Sequence, residues 1–123
     1  MICKIKNDVD DEFFSTIEKF FKSKYILFEF KNYNALIKQG QICITEKYLF
    51  ETALRKVAIV ITRKGIDKNG NKMISGILRE TGKLIIVLND DDIKTMIELH
   101  EKNEKVSMVL SEKLDAILTT LEK

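Results

Sequence analysis

Apolar positions follow two different periods along this chain, and the alternation between them outlines the elements. The runs "KVAIVITR" (56–63) and "KLIIVL" (83–88) are continuous and β-branched, a pattern that predicts strands buried on both faces. "YILFEF" (25–30) predicts a third strand. Its period of two sends Ile26, Phe28 and Phe30 to one face and Glu29 and Lys31 to the other. "ICKIK" (2–6) predicts a short strand ahead of it. Helical spacing takes over between these runs. Phe13, Phe14, Ile17, Phe20 and Phe21 form one stripe of a helix over about 11–22, with Asp10 or Asp11 available to cap its first turn. "NYNALIKQG" predicts a loop leading to a helix over about 39–52. The Gly and Asn-Gly signals of "KGIDKNGNK" predict a turn before a helix over about 71–81, which Gly82 ends. "NDDD" introduces a helix over about 90–103. Val106, Val109, Leu110, Leu114, Ile117, Leu118 and Leu121 place a last one over 106–121.

Strands alternating with helices imply an α/β sandwich in which 56–63 and 83–88 lie parallel, joined by a right-handed crossover. No repeat, low-complexity tract or linker interrupts the pattern. The 123 residues are therefore expected to form a single α/β domain with one core. Charge adds little to this picture. A formal net charge of +2 is too mild to indicate a nucleic-acid or membrane partner without a local patch. Cys3 and Cys43 lack any Cys-x-x-Cys spacing or companion His cluster, so neither a zinc site nor a disulfide framework is expected. Together with the acidic turn early in "MICKIKNDVDD" and no run of about 18 apolar residues, this points to a cytoplasmic protein with no membrane span.

The candidate chemistry starts from Glu29 and Lys31. Two charges on one face of an apolar strand are either a solvated ion pair, worth at most about 1 kcal/mol, or the centre of a metal-assisted phosphodiesterase. In the latter a carboxylate holds Mg²⁺ and an ammonium stabilises charge building on the phosphate. Gln41, Thr45 and Tyr48 fall at i, i+4 and i+7 and share one helix face, either as a solvated polar face or as part of a site.

The strand ending in "EFKNY" resembles the Glu-x-Lys half of the restriction-endonuclease-like, PD-(D/E)xK, nuclease superfamily, in particular a bacterial branch whose motif reads E-x-K-N-Y. "TEKYL", "VAIVITRKG", "LRETGKLIIVL" and "NDDDI" are similar to that branch in the same order, and the resemblance covers about residues 2–92. It implies a restriction-endonuclease-like α/β sandwich, with a mixed central sheet flanked by helices, that hydrolyses DNA with Mg²⁺. By position, Glu29 would be a metal ligand, Lys31 the catalytic lysine and Gln41 a supporting residue. The superfamily also needs an Asp on the strand before Glu-x-Lys, roughly where Met1 or Ile2 falls or just upstream, and this chain has no carboxylate there. Three expectations follow: the chain is the C-terminal part of a longer nuclease, or Asp8 or Asp10 substitutes as the second metal ligand, or the site is inactive. In the last case the domain would serve nucleic-acid binding, protein interaction or homo-oligomerisation.

Lys24, Lys38, Arg63 and Lys64 are the cations expected to meet phosphates beside Lys31. Other features carry less. "DKNGN" (67–71) fails as a calcium loop, with Lys72 where Gly is required and Leu78 where Glu is required. The carboxylates of "NDDD" are expected to cap a helix. His100 is expected on the surface, and Cys43 has no partner base in sequence.

Overall fold

The computed structural model describes residues 1–6, 11–31 and 34–121. Four strands, β1 (Ile2–Lys4), β2 (Tyr25–Lys31), β3 (Val57–Thr62) and β4 (Leu84–Leu88), form one mixed sheet in sequential order. β1 runs antiparallel to β2 with Ile2 opposite Leu27. β2, β3 and β4 are parallel, with Ile26 beside Val57 and Val57 beside Leu84. Helices α2 (Gln39–Glu46) and α3 (Lys68–Thr81) form the two crossovers. They cover the face carrying Leu27, Ala58, Val60 and Ile85 with Ile42, Ile74 and Ile77. The opposite face, built on Ile26, Ile59 and Ile86, is covered by Phe13 and Ile17 of α1 (Glu12–Phe20) and by Val109, Leu110 and Leu114 of α5 (Met108–Thr119). Ile93, Met96 and Leu99 of α4 (Asp90–Glu101) pack on its margin. The chain is thus α/β, with a four-strand mixed sheet between helical layers, and the continuous apolar runs became the strands buried on both faces.

The caps explain where the helices start. Asp11 Oδ1 accepts from Phe13 N at 3.0 Å and Phe14 N at 3.3 Å, and the Ser107 hydroxyl donates to its other oxygen, tying α1 to the start of α5. Asn89 and Asp92 cap α4 reciprocally, each accepting from the other's backbone N–H at 2.9 Å.

Two boundaries and two side chains differ from the sequence pattern. α3 begins at Lys68 rather than near 71, because the Asp67 carboxylate accepts from Gly70 N at 2.7 Å and turns the Asn-Gly signal into a first helical turn. Gly70 is required there: a Cβ would sit 2.5 Å from Ile66 Cγ1. α2 stops at Glu46 instead of continuing to 52. Leu49 drops fully into the core, Phe50 bridges Arg55, and Leu54 takes a left-handed φ of 56° to redirect the chain into β3. Phe20 belongs to the predicted stripe, yet it ends α1 exposed, with the Lys19 ammonium 5.5 Å from its ring centroid. Phe30 lies past the cover of α1 and is 69% exposed.

Candidate functional site

β2 projects Glu29 and Lys31 from the α2/α3 face of the sheet, where Leu27, one step earlier on that face, is already core. Two residues of strand advance the chain by about 6.6 Å, so neighbouring same-face side chains of this length meet. Lys31 Nζ lies 3.0 Å from Glu29 Oε2, with the two side chains 14% and 20% exposed. The ammonium engages one carboxylate oxygen. The other, Glu29 Oε1, is buried and has no hydrogen-bond partner among the described residues. In register beside Lys31 on β3 stands Thr62, 2% exposed, whose Oγ1 is likewise buried and unpartnered among the described residues. A buried polar atom without a partner costs about 1–3 kcal/mol, and Glu29 Oε1 and Thr62 Oγ1 lie on one patch of the sheet.

The carboxyl ends of the parallel strands lie beside this pair. Ile37 N donates to Gly65 O at 2.8 Å and Asp67 N to Ile37 O at 2.9 Å, which sews the segment before α2 to the one before α3. Lys38, Arg63 and Lys64 therefore share this end of the sheet with Lys31, and all three are exposed. Arg63 Nε is 3.8 Å from Asp90 Oδ2, a solvated pair that adds little stability. A cavity of about 230 Å³ opens here, lined by Phe30, Lys31, Ile61, Thr62, Arg63 and Asp90.

Lys24 does not join, and Gln41 has its side-chain oxygen engaged in a helix cap. Lys24 precedes β2, so it sits at the amino end of the strand, where its backbone N–H donates to Leu54 O. That is roughly 20 Å from the other cations by strand rise, and Lys24 is removed from the expected phosphate cluster. Gln41 acts as a helix cap: its Oε1 accepts from Lys38 N at 2.8 Å and closes the first turn of α2. The polar face expected of Gln41, Thr45 and Tyr48 dissolves. Thr45 is buried and bonds back to Gln41 O at 3.2 Å, while Tyr48 lies beyond the helix end and is exposed.

Asp8 and Asp10, the proposed second metal ligands, lie outside the described residues. β1 brings no carboxylate either: Ile2 faces Leu27, and Met1 O accepts from Phe28 N at 2.7 Å. Among the described residues no group of three or more His, Cys, Asp or Glu converges. No described helix is long and apolar enough to cross a membrane. His100 is exposed as expected, and Cys3 and Cys43 are free thiols.

Thr62 was not singled out by the sequence. Its signal was available, since it breaks the apolar run 57–61 at the position that shares a face with Val60, but a Thr at a strand end reads as a boundary. Comparisons of the chain with protein-family models, with curated proteins and with solved structures return no match.

Proposed function

We propose that this chain is a nuclease-like domain of the PD-(D/E)xK type, with Glu29 and Lys31 as the centre of a metal-dependent phosphodiesterase acting on DNA. The fold proposal rests on the succession of an antiparallel strand, the Glu-x-Lys strand and two helix-linked parallel strands. The observation that carries the functional reading is Glu29 Oε1, a buried anionic oxygen without a donor among the described residues, on the same face as an ammonium. Such an oxygen suits a hard divalent cation, and Mg²⁺ would supply charge neutralisation at a phosphate. Glu29 is one carboxylate where such sites use one or two, and Asp8 or Asp10 is the proposed second. Lys31 holds Glu29 in place from the opposite oxygen and presents positive charge to the cavity where a phosphate would sit. Lys38, Arg63 and Lys64 would position the backbone at the strand ends.

A second reading is favoured by a specific feature. The direct 3.0 Å contact occupies Lys31 with Glu29 itself, as in a silent site retained for nucleic-acid binding. Incubating supercoiled plasmid with the protein in Mg²⁺ or Mn²⁺, beside Glu29→Ala and Lys31→Ala, separates the two. Cleavage by the native chain, lost in both variants, supports the nuclease. Equal outcomes for all three, with DNA binding intact, support the silent domain.

A further inference from the structure

Helix α3 carries a second basic feature away from Glu29 and Lys31. Lys68, Lys72 and Arg79 recur at spacings of four and seven, which aligns them on one flank over about 16 Å of helix. All three are exposed. They line a groove of about 700 Å³ together with Asn71, Ser75 and Thr120, and among the described residues no acidic or large apolar side chain lines it. Among the described residues neither Lys68 nor Lys72 forms an ion pair. Arg79 meets only its own neighbour Glu80, at 3.2 Å between exposed groups. The carboxylate next to Lys68, Asp67, is engaged in capping the helix. Midway along the flank Gly76 leaves the groove floor open.

This set of groups has a recognisable chemistry. Phosphate backbones are held by Lys and Arg with Ser, Thr and Asn filling between them, and such contacts need no apolar anchor. A protein partner of acidic character would bring aromatic or aliphatic anchors to a central pocket; among the described residues the groove itself has no apolar lining, and a separate cavity lined by Ile66, Ile74, Ile85 and Ile117 adjoins it at Asn71, Ser75 and Thr120. The flank also begins four residues after Lys64, so the basic end of the sheet continues onto α3. We propose that the outer flank of α3 binds a nucleic-acid backbone through Lys68, Lys72 and Arg79. The surface goes beyond the cleavage reading: it requires no metal and no turnover, and it stands if Glu29 and Lys31 prove inactive.

The test is binding of a fluorescein-labelled DNA duplex to the full chain by anisotropy between 50 and 200 mM salt, in EDTA. The native chain is compared with Lys68→Gln/Lys72→Gln/Arg79→Gln, with each single substitution, and with the charge-matched control Lys94→Gln/Lys102→Gln/Lys105→Gln. Each neutralised phosphate contributes about 0.9 to the slope of log affinity against log salt. The triple variant should lose about 2.7 from that slope, removing about 40-fold of the salt dependence over this range. Each single substitution should remove about one unit, which keeps the inference testable if the triple variant folds poorly. A control that binds like the native chain supports the assignment. An equal loss in the control overturns it, as does a native slope retained in the variants. Absence of duplex binding by the native chain overturns it too, as does preference for poly-glutamate over DNA.

Discussion

Replacing Thr62 with Val should make the protein more stable, an unusual sign for a buried change at the end of an inner strand. Thr62 is 2% exposed and its hydroxyl has no partner among the described residues. A buried, unpaired polar group costs about 1–3 kcal/mol. Valine keeps the β-branched shape that β3 requires and exchanges the hydroxyl for a methyl group, whose burial is worth about 0.8 kcal/mol. Allowing for imperfect fit of the larger methyl, the expected gain is about 1–2 kcal/mol. At this chain length that corresponds to about 3–8 °C in Tm. Thr62→Ala is the control: it removes the hydroxyl but leaves a void, and should be about 1–2 kcal/mol less stable than Thr62→Val. Urea denaturation followed by circular dichroism at 222 nm, with equal m-values across the three proteins, gives the comparison. A loss of 1 kcal/mol or more in Thr62→Val would refute the reasoning, because it would mean the hydroxyl makes a bond that stabilises the fold.

Other substitutions probe separate parts of the account. Lys31→Met leaves the largely buried Glu29 carboxylate without its 3.0 Å partner and should cost about 2 kcal/mol, between the values for exposed and buried pairs. Glu29→Gln/Lys31→Met should recover part of that loss in a double-mutant cycle read by urea melts. Asp11→Ala removes the cap of α1 and the Ser107 bond together and should cost about 1–2 kcal/mol in the same assay. Gly70→Ala forces a Cβ to within 2.5 Å of the Ile66 side chain and should lower stability by about 1–3 kcal/mol. An unchanged melting curve would show that Ile66 yields freely.

The strands were legible because their apolar runs are long and β-branched, and burial on both faces leaves such a run little alternative. The parallel pairing of β3 with β4 followed from the helix between them. The cap of α1 was legible because a carboxylate stood at the right step, at Asp11, whereas α4, expected to be capped by the carboxylates of "NDDD", has Asn89 as its N-cap with Asp92 reciprocating. Boundaries set by tertiary contact were not. α2 ends where Leu49 finds the core, and helical periodicity through residue 52 carries no sign of it. The Asn-Gly pair read as a turn because local chemistry usually makes it one, whereas the Asp67 carboxylate, accepting from Gly70 N, draws it into the first turn of α3.

The site divides in the same way. Period two placed Glu29 and Lys31 on one face, a local property, and they meet there. The grouping of cations needed to know which end of a strand each residue occupies, so Lys24 was gathered with Lys38, Arg63 and Lys64 although it lies at the opposite end of β2. Gln41 carried a family role by position, but its distance of three from Lys38 made it a cap. Thr62 depends on the β2–β3 register, which no sequence spacing encodes.

The claim that Glu29 is half of a divalent-cation site is tested most directly by anomalous diffraction from crystals of the native chain grown with Mn²⁺. The account predicts a manganese peak about 2.1–2.3 Å from Glu29 Oε1, shared with a carboxylate of Asp8 or Asp10 and abolished in Glu29→Gln. Well-ordered density for Glu29 and Lys31 still paired, with no anomalous peak beside Oε1 at saturating Mn²⁺, would contradict it.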